Sequence, residues 1–332
     1  MLQNIKLKTD KENQFLGDMF EGFLDQGVKQ SEGQFFTPMP IVKFILKSLP
    51  LNHIVKETDE IPKVIDYACG AGHFLNEYAK QIKPIVQENK EAEIEQYYAA
   101  ITGIEKEYRL SKVAKVSSFM YGQDDIEIIY ADALSEIKQV KDNTYSVLVA
   151  NPPYSVKGYL ETLPAKDRKR YELINTVEEK SYANNNSIET FFIERAKQVL
   201  KPGGVAAIIV PSSILSKGKA KSTSTNTNIY VATREILIKY FDIVAIAEFG
   251  SGTFGKTGTN TVTLFLKRRE DTIAEQVEKS LATFFTNLKD ITINGIEKPI
   301  EKYVSHVWEN ISFQDYKTLL NKKPNEAIKQ HE

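Results

Sequence analysis

From Lys63 onward the chain switches repeatedly between short apolar runs and longer stretches whose apolar residues recur at helical spacing. Lys63-Val64-Ile65-Asp66 reads as a buried-type strand, and His73 to about Lys90 as the helix after it. Ile101 to Glu105 is a second strand, Glu107 to Met120 a helix, and Ile126 to Tyr130 a third strand leading to Asp132. Tyr145 to Ala150 is a fourth. Ile188 to Leu200 is an amphipathic helix stopped by Lys201-Pro202-Gly203-Gly204, and Val205 to Val210 a fifth strand before Pro211. Arg234 to Tyr240 is helical, and Ile243 to Phe249 and Thr261 to Lys267 close the series as an antiparallel pair. Strands that alternate with helices pair in parallel, because each crossover returns the chain to the same end of the sheet. The expected fold is α/β: a mostly parallel sheet with helices on both faces and an antiparallel final strand pair.

Upstream, Leu16 to Leu24 puts Leu16, Met19 or Phe20, and Phe23 on one helical face. Gln34-Phe35-Phe36-Thr37-Pro38 follows a polar stretch, with Thr37 suited to cap a helix and Pro38 to its first position. Ile41, Val42, Ile45, Leu46 and Leu49 continue at helical spacing until Pro50. The expected organisation is N-terminal helices over residues 1–50, a main domain over 51–270, and an extension over 271–332 in which Ile273 to Leu288 is helical. The extension ends in weakly patterned sequence, as in a chain cut from something longer.

Composition removes several functional classes. No apolar run approaches the roughly 18–20 residues that span a bilayer, and Met1 to Asp10 does not read as a secretory signal. A single cysteine, Cys69, excludes an internal disulfide and fits a reducing cytoplasm. With only four scattered histidines, no metal-ligand spacing exists and no metal is expected. A net charge of −1 is low for an autonomous nucleic-acid binder, since phosphate contacts supply much of such affinity. Basic residues are nonetheless clustered in two long interruptions. Ser155 to Ser187 carries Lys157, Lys166, Arg168, Lys169 and Arg170, and Ser216 to Asn228 is basic and of low complexity. Both follow strand ends on the expected ligand side.

The chemistry gathers at those strand ends, where open α/β sheets bind ligands. In Asp66-Tyr67-Ala68-Cys69-Gly70-Ala71-Gly72, the glycines at 70 and 72 let backbone approach a ligand, as they would also let it make a plain tight turn. An acid at Asp66 would repel a pyrophosphate and accept from an ammonium, which favours S-adenosylmethionine over a dinucleotide. Glu105 sits where ribose hydroxyls are taken, and Asp132 where an adenine amino group could be held. Either could equally be a solvated strand-end carboxylate. Asn151-Pro152-Pro153-Tyr154 follows the apolar fourth strand. Its prolines fix φ and remove two donors, leaving carbonyl oxygens and the Asn151 amide oxygen as acceptors. Two acceptors on the N–H groups of an exocyclic amine draw its nitrogen toward tetrahedral geometry and free the lone pair for attack on a sulfonium methyl. Positioning and fixed dipoles then carry the catalysis. Tyr154 offers a ring on which an extruded base can stack.

Taken in this order, with Gly33-Gln34-Phe35-Phe36-Thr37-Pro38 ahead of them, these motifs resemble adenine-N6 DNA methyltransferases. The similarity is greatest to the modification subunit of type I restriction–modification systems and to type IIG relatives. Leu16 to Leu24, Leu200-Lys201-Pro202-Gly203-Gly204 and Phe254-Gly255-Lys256-Thr257-Gly258-Thr259 belong to it, so it spans Leu16 to Lys267. The resemblance implies a Rossmann-like methyltransferase fold and a catalytic domain at 51–270. It implies S-adenosylmethionine bordered by Phe36, Thr37 and Pro38 at the methionine end. Asp66, Cys69, Gly70, Gly72 and Asn151 take the rest of that end, with Glu105 at the ribose and Asp132 at the adenine. Phe254 would be a second aromatic against the flipped base. Ala71 and His73 stand where Ser and a small residue are common, and the long N-terminal helical domain and the target-recognition domain of the family are not seen in these residues. The implied partners are double-stranded DNA, a specificity subunit that chooses the sequence, and a restriction subunit. The same tetrapeptide serves any planar amine, so a glutamine amide or an RNA adenine stays open as substrate, as does a non-catalytic assembly subunit.

Overall fold

The computed structural model describes residues 37–58, 60–89, 93–218, 228–250, 253, 259–293 and 295–330. The expected Leu16–Leu24 helix, Phe36 and Phe254 lie outside them. The chain divides into two compact units between Arg268 and Arg269.

The described part of the first unit begins with helices α1 (Met39–Ser48) and α2 (Leu51–Lys56), separated at Pro50. Thr37 does not cap α1. Pro38 occupies the cap position without a side-chain bond, and the Thr37 hydroxyl is used elsewhere. Strand β1 (Val64–Asp66) leads through the glycine loop into α3 (His73–Asn89) and the short α4 (Ile94–Tyr98). Then come β2 (Ile101–Glu105), α5 (Tyr108–Met120), β3 (Glu127–Tyr130) and β4 (Tyr145–Ala150). The Glu107 carboxylate caps α5, accepting from the backbone N–H of Arg109 at 3.0 Å and Leu110 at 2.6 Å. That places an acid on the positive end of the helix.

The stretch after β4 is packed structure, not an open loop. It folds into α6 (Tyr159–Thr162), α7 (Ala165–Arg168) and two 3₁₀ turns, with Tyr159, Leu160, Leu163, Tyr171 and Leu173 buried. Next come α8 (Ile188–Val199), β5 (Leu200–Pro211), α9 (Ser213–Ser216), α10 (Ile229–Tyr240), β6 (Phe241–Phe249) and β7 (Thr261–Arg268). Lys201-Pro202-Gly203-Gly204 does not merely end α8 but lies inside β5. Leu200 pairs with Tyr145 and Val205 with Val147, so the intervening residues bulge. Gly203 holds φ at +79°, and a Cβ on Gly204 would lie 3.0 Å from the Tyr145 carbonyl oxygen. Only glycines allow the bulge to hug the neighbouring strand.

The seven strands run in the order β3-β2-β1-β4-β5-β7-β6. The first five pair in parallel. The final pair is antiparallel as expected, but β7 also pairs antiparallel with β5, so β7 alone is reversed and is inserted between β5 and β6. Successive side chains of a strand point to opposite faces, and the core follows that alternation. Leu148, Ala150, Ala206 and Ile208 join one cluster with α8 and α10 residues, while Val147, Val149, Ala207 and Ile209 join another with residues of α1, α2 and α3. The result is three layers, with helices on both faces of the sheet.

The second unit holds α11 (Asp271–Asn287), a hairpin of β8 (Thr292–Ile293) and β9 (Ile296–Glu297), and α12 (Pro299–Val307), α13 (Phe313–Leu320) and α14 (Glu326–Lys329). Val304, Ile311 and Ile328 form its small core, and Ser312 with Asp315 makes a reciprocal capping box on α13. Among the described residues no helix is long and apolar enough to cross a membrane.

Candidate active site

Strand order reverses between β1 and β4, and the C-terminal ends of these neighbours carry Asp66 and Asn151. Switch points of this kind open a crevice beyond the strand ends.

The glycine loop is held from three sides. The Cys69 N–H donates to the Ile104 carbonyl at 3.0 Å, the Tyr67 hydroxyl to the Phe192 carbonyl at 3.0 Å, and the Gly70 N–H to Glu105 Oε2 at 2.9 Å. Gly70 and Gly72 have φ of +53° and +88°, which any side chain would strain. Asp66 is 1% exposed and, among the described residues, accepts the Ala68 N–H at 3.0 Å through Oδ1. Burial therefore pushes its carboxyl from 3.8 up to about 8, the Ala68 bond working against the shift and the like charge of Glu105 adding to it. Burial, with the same two acids, also raises the Cys69 thiol, leaving it a neutral wall.

Glu105 spans the loop and the next helix, since its Oε1 accepts from the Glu107 N–H at 2.7 Å. Burial raises its carboxyl against the pull of these backbone donors. Asp132 accepts from the Leu134 N–H at 3.0 Å and pairs with Lys106 at 2.7 Å. An incoming amino group would share this carboxylate with Lys106.

Asn151 is fixed at both ends of its amide. Its Nδ2 donates to Thr37 Oγ1 at 3.0 Å, and its Oδ1 accepts the Tyr154 hydroxyl. These partners orient the amide with the nitrogen toward Thr37 and the oxygen toward Tyr154. A carbonyl oxygen has two lone pairs, so Oδ1 can still accept a second donor. Pro152 is buried, and the half-buried Tyr154 ring packs against the cluster containing Val149 and Ala207. Burial raises the Tyr154 hydroxyl, with the Glu189 charge adding to it, so Tyr154 acts as a donor.

The profile of the N-6 DNA Methylase family matches residues 11–319. The chain belongs to that family. It is 26% identical over 183 residues to the type I restriction enzyme MjaVII methylase subunit of Methanocaldococcus jannaschii, covering 54% of this chain and 29% of that one. The chain thus spans less than a third of this relative. The solved methyltransferase subunit of a type I restriction–modification system from Streptococcus thermophilus superposes with a TM-score of 0.57 at 18% identity, over 82% of this chain and 58% of that one. A protein described as a class I S-adenosylmethionine-dependent methyltransferase, from Listeria monocytogenes, superposes with a TM-score of 0.58 at 17% identity, over 81% and 72%. These likenesses fix the fold as the Rossmann-like one of S-adenosylmethionine-dependent methyltransferases.

In this family member two structural residues carry no local signal in the sequence. Gly103 lies in the middle of β2, where a Cβ would meet Leu75 at 2.5 Å, Ile128 at 2.9 Å and the Cys69 sulfur at 3.0 Å. Glu189, in the first turn of α8, accepts the Ser155 N–H just past the tetrapeptide. No local pattern announces either contact, since both join residues distant in sequence. Several basic residues of 155–187 are engaged internally. Arg168 donates to the Leu160 and Leu163 carbonyls at 2.8 and 2.6 Å, and Arg170 pairs with Asp142 at 3.2 Å. Of the second basic stretch, Lys217 lies 4.7 Å from the centre of the Tyr230 ring. Lys219 and Lys221 fall outside the described residues.

Proposed function

We propose that this chain transfers a methyl group from S-adenosylmethionine to N6 of a flipped-out adenine in DNA, as the modification component of a restriction–modification system. The observation that carries the reading is an Asn151 amide clamped between Thr37 and Tyr154, one strand from the buried Asp66 carboxylate, in a chain of the N-6 DNA Methylase family.

The donor set fits S-adenosylmethionine. Among the described residues this buried carboxyl, raised to about 8, has no compensating positive charge, and a ligand ammonium would supply one. Gly70 and Gly72 leave the backbone open to close approach, with Cys69 as an apolar wall. Glu105 would take ribose hydroxyls and Asp132 the adenine amino group. Thr37 and Pro38, with Phe36, would border the methionine end. When bound, the group supplies an electrophilic sulfonium methyl.

The chain's own residues do the rest. Asn151 Oδ1 and the backbone carbonyl beside Pro152 accept the two N–H groups of the target amine, orienting its lone pair. Thr37 holds Asn151 so that its oxygen, not its nitrogen, meets the substrate. Fixed acceptors of this kind cost no reorganisation during reaction. Tyr154, and Phe254 from beyond the described residues, would sandwich the extruded base once Tyr154 turns toward it. A specificity subunit would supply the sequence choice and much of the DNA grip, with a restriction subunit as a further partner.

The test is transfer of a radiolabelled methyl group from S-adenosylmethionine to unmethylated DNA, ribosomal RNA and release-factor protein. DNA should be labelled, with the label recovered as N6-methyladenine. Asn151→Ala should lower the rate by about 100-fold or more, in line with loss of one preorganised dipole at the reacting group, while calorimetry shows cofactor affinity within a few-fold. Label only in protein or RNA overturns the reading.

A further inference from the structure

We propose that Glu189 is a positioning residue which, given the methyltransferase reading above, holds the catalytic tetrapeptide in register through the backbone of Ser155. Its carboxylate is 1% exposed and lies in the first turn of α8. Oε2 accepts the Ser155 N–H at 3.2 Å, and Oε1 accepts the Tyr230 hydroxyl at 3.2 Å. That hydroxyl is in turn approached by Ser187 Oγ at 3.3 Å and Lys217 Nζ at 3.4 Å. A phenol has one proton to give and two lone pairs to fill, so Tyr230 spends its proton on Glu189 and accepts from the other two. The polar cluster is closed.

Burying a carboxylate is costly unless its oxygens are satisfied, and a helix first turn needs no buried acid to fold. What this one does is hold an awkward turn. Ser155 sits at φ 55°, a left-handed conformation costly for a residue with a side chain. Pro152 and Pro153 have no N–H to anchor the loop. The tetrapeptide is therefore gripped through side chains, by Thr37 on Asn151 and by Tyr154 on Asn151, and at its exit by Glu189 on the Ser155 N–H. Releasing Ser155 lets the chain leave the left-handed turn, which swings Tyr154 and loosens the orientation of the Asn151 amide. The cofactor carboxylates stand on other strands and are not gripped by Glu189. The cluster also reaches Lys217, the first lysine of the basic stretch, so the tetrapeptide exit and Lys217 share one hub at Tyr230.

Three variants of the full chain with its partner subunits test this: Glu189→Leu, Glu189→Gln and Tyr230→Phe. Glu189→Leu should lower kcat for DNA methylation about tenfold or more, since misplacing a reacting group costs rate rather than affinity. KM for S-adenosylmethionine should stay within about twofold. Glu189→Gln, which keeps an acceptor for Ser155, should recover most of that loss. Hydrogen exchange of the peptide containing Ser155 should quicken about tenfold in Glu189→Leu and less in Tyr230→Phe. Tyr230→Phe carries the test if the leucine variant does not fold. Unchanged exchange, or a loss that tracks KM and melting temperature without rescue by Gln, overturns the proposal. If the wild-type chain labels no DNA, the methyltransferase reading fails, and the exchange measurement still decides whether Glu189 holds the loop.

Discussion

Asp66 is placed where its ionisation weakens the ligand-free fold. The unfolded chain ionises this carboxyl near 3.8, whereas the folded, ligand-free protein holds the proton up to about 8. Between these values the unfolded state binds fewer protons, so stability from this group is fully present below about 4 and is lost as pH rises to about 8. Asp66→Asn removes the titration. Its melting temperature without ligand should exceed the wild type's at pH 8 by several degrees and match it more closely at pH 5. Calorimetry at pH 8 should find S-adenosylmethionine bound about tenfold or more weakly, the loss of a charge-assisted contact. An unaltered affinity would refute the ammonium assignment. A buried carboxyl whose charge weakens the empty fold is of the kind found at ligand sites.

At the scale of elements, β2 delivers Glu105 only because Gly103 lets the glycine loop and α3 close over it. A Cβ there meets Leu75 and Ile128 side chains and the Cys69 sulfur at 3.0 Å or less. Gly103→Ala should cost about 1–3 kcal/mol by overpacking and, by displacing Cys69, weaken cofactor binding as well. Chemical denaturation with a parallel binding titration checks both, and a variant that loses stability alone would separate the strand from the site. Gly70→Ala offers the contrast. Its Cβ meets nothing within 4 Å among the described residues, so its cost comes from a φ of +53°. On the other face, buried Arg195 of α8 donates to the Ala133 carbonyl at 3.1 Å and to Asp142 at 3.0 Å, tying the segment after Asp132 to the helix that carries Glu189. The walls of the site are thus set by crossings between elements.

For the whole molecule, charge is the telling quantity. With a net charge of −1, and with Arg168 and Arg170 committed to internal contacts, the chain has little surplus cation to neutralise phosphate. Alone it should bind duplex DNA weakly and with a shallow salt dependence, and a specificity subunit should steepen the slope of log affinity against log salt by several phosphate contacts' worth. Fluorescence anisotropy across a salt series measures this, and a steep slope for the isolated chain would show that it grips DNA by itself. The strand–helix alternation and the acids and tetrapeptide at strand ends were legible in sequence, because strand period, helix period and proline chemistry are local properties. So were the three-layer fold class and the family. The insertion of β7 between β5 and β6, the Thr37–Asn151 bond, the folding of residues 155–187 into packed turns, and the Glu189 and Gly103 contacts were not. Each depends on which distant segments the sheet order brings together. Which groups stand at the strand ends was written in the chain residue by residue, since backbone periodicity and side-chain chemistry are local. How those groups are oriented came from tertiary contacts, because partners distant in the chain help to set it, as Thr37 does for Asn151 across 114 residues.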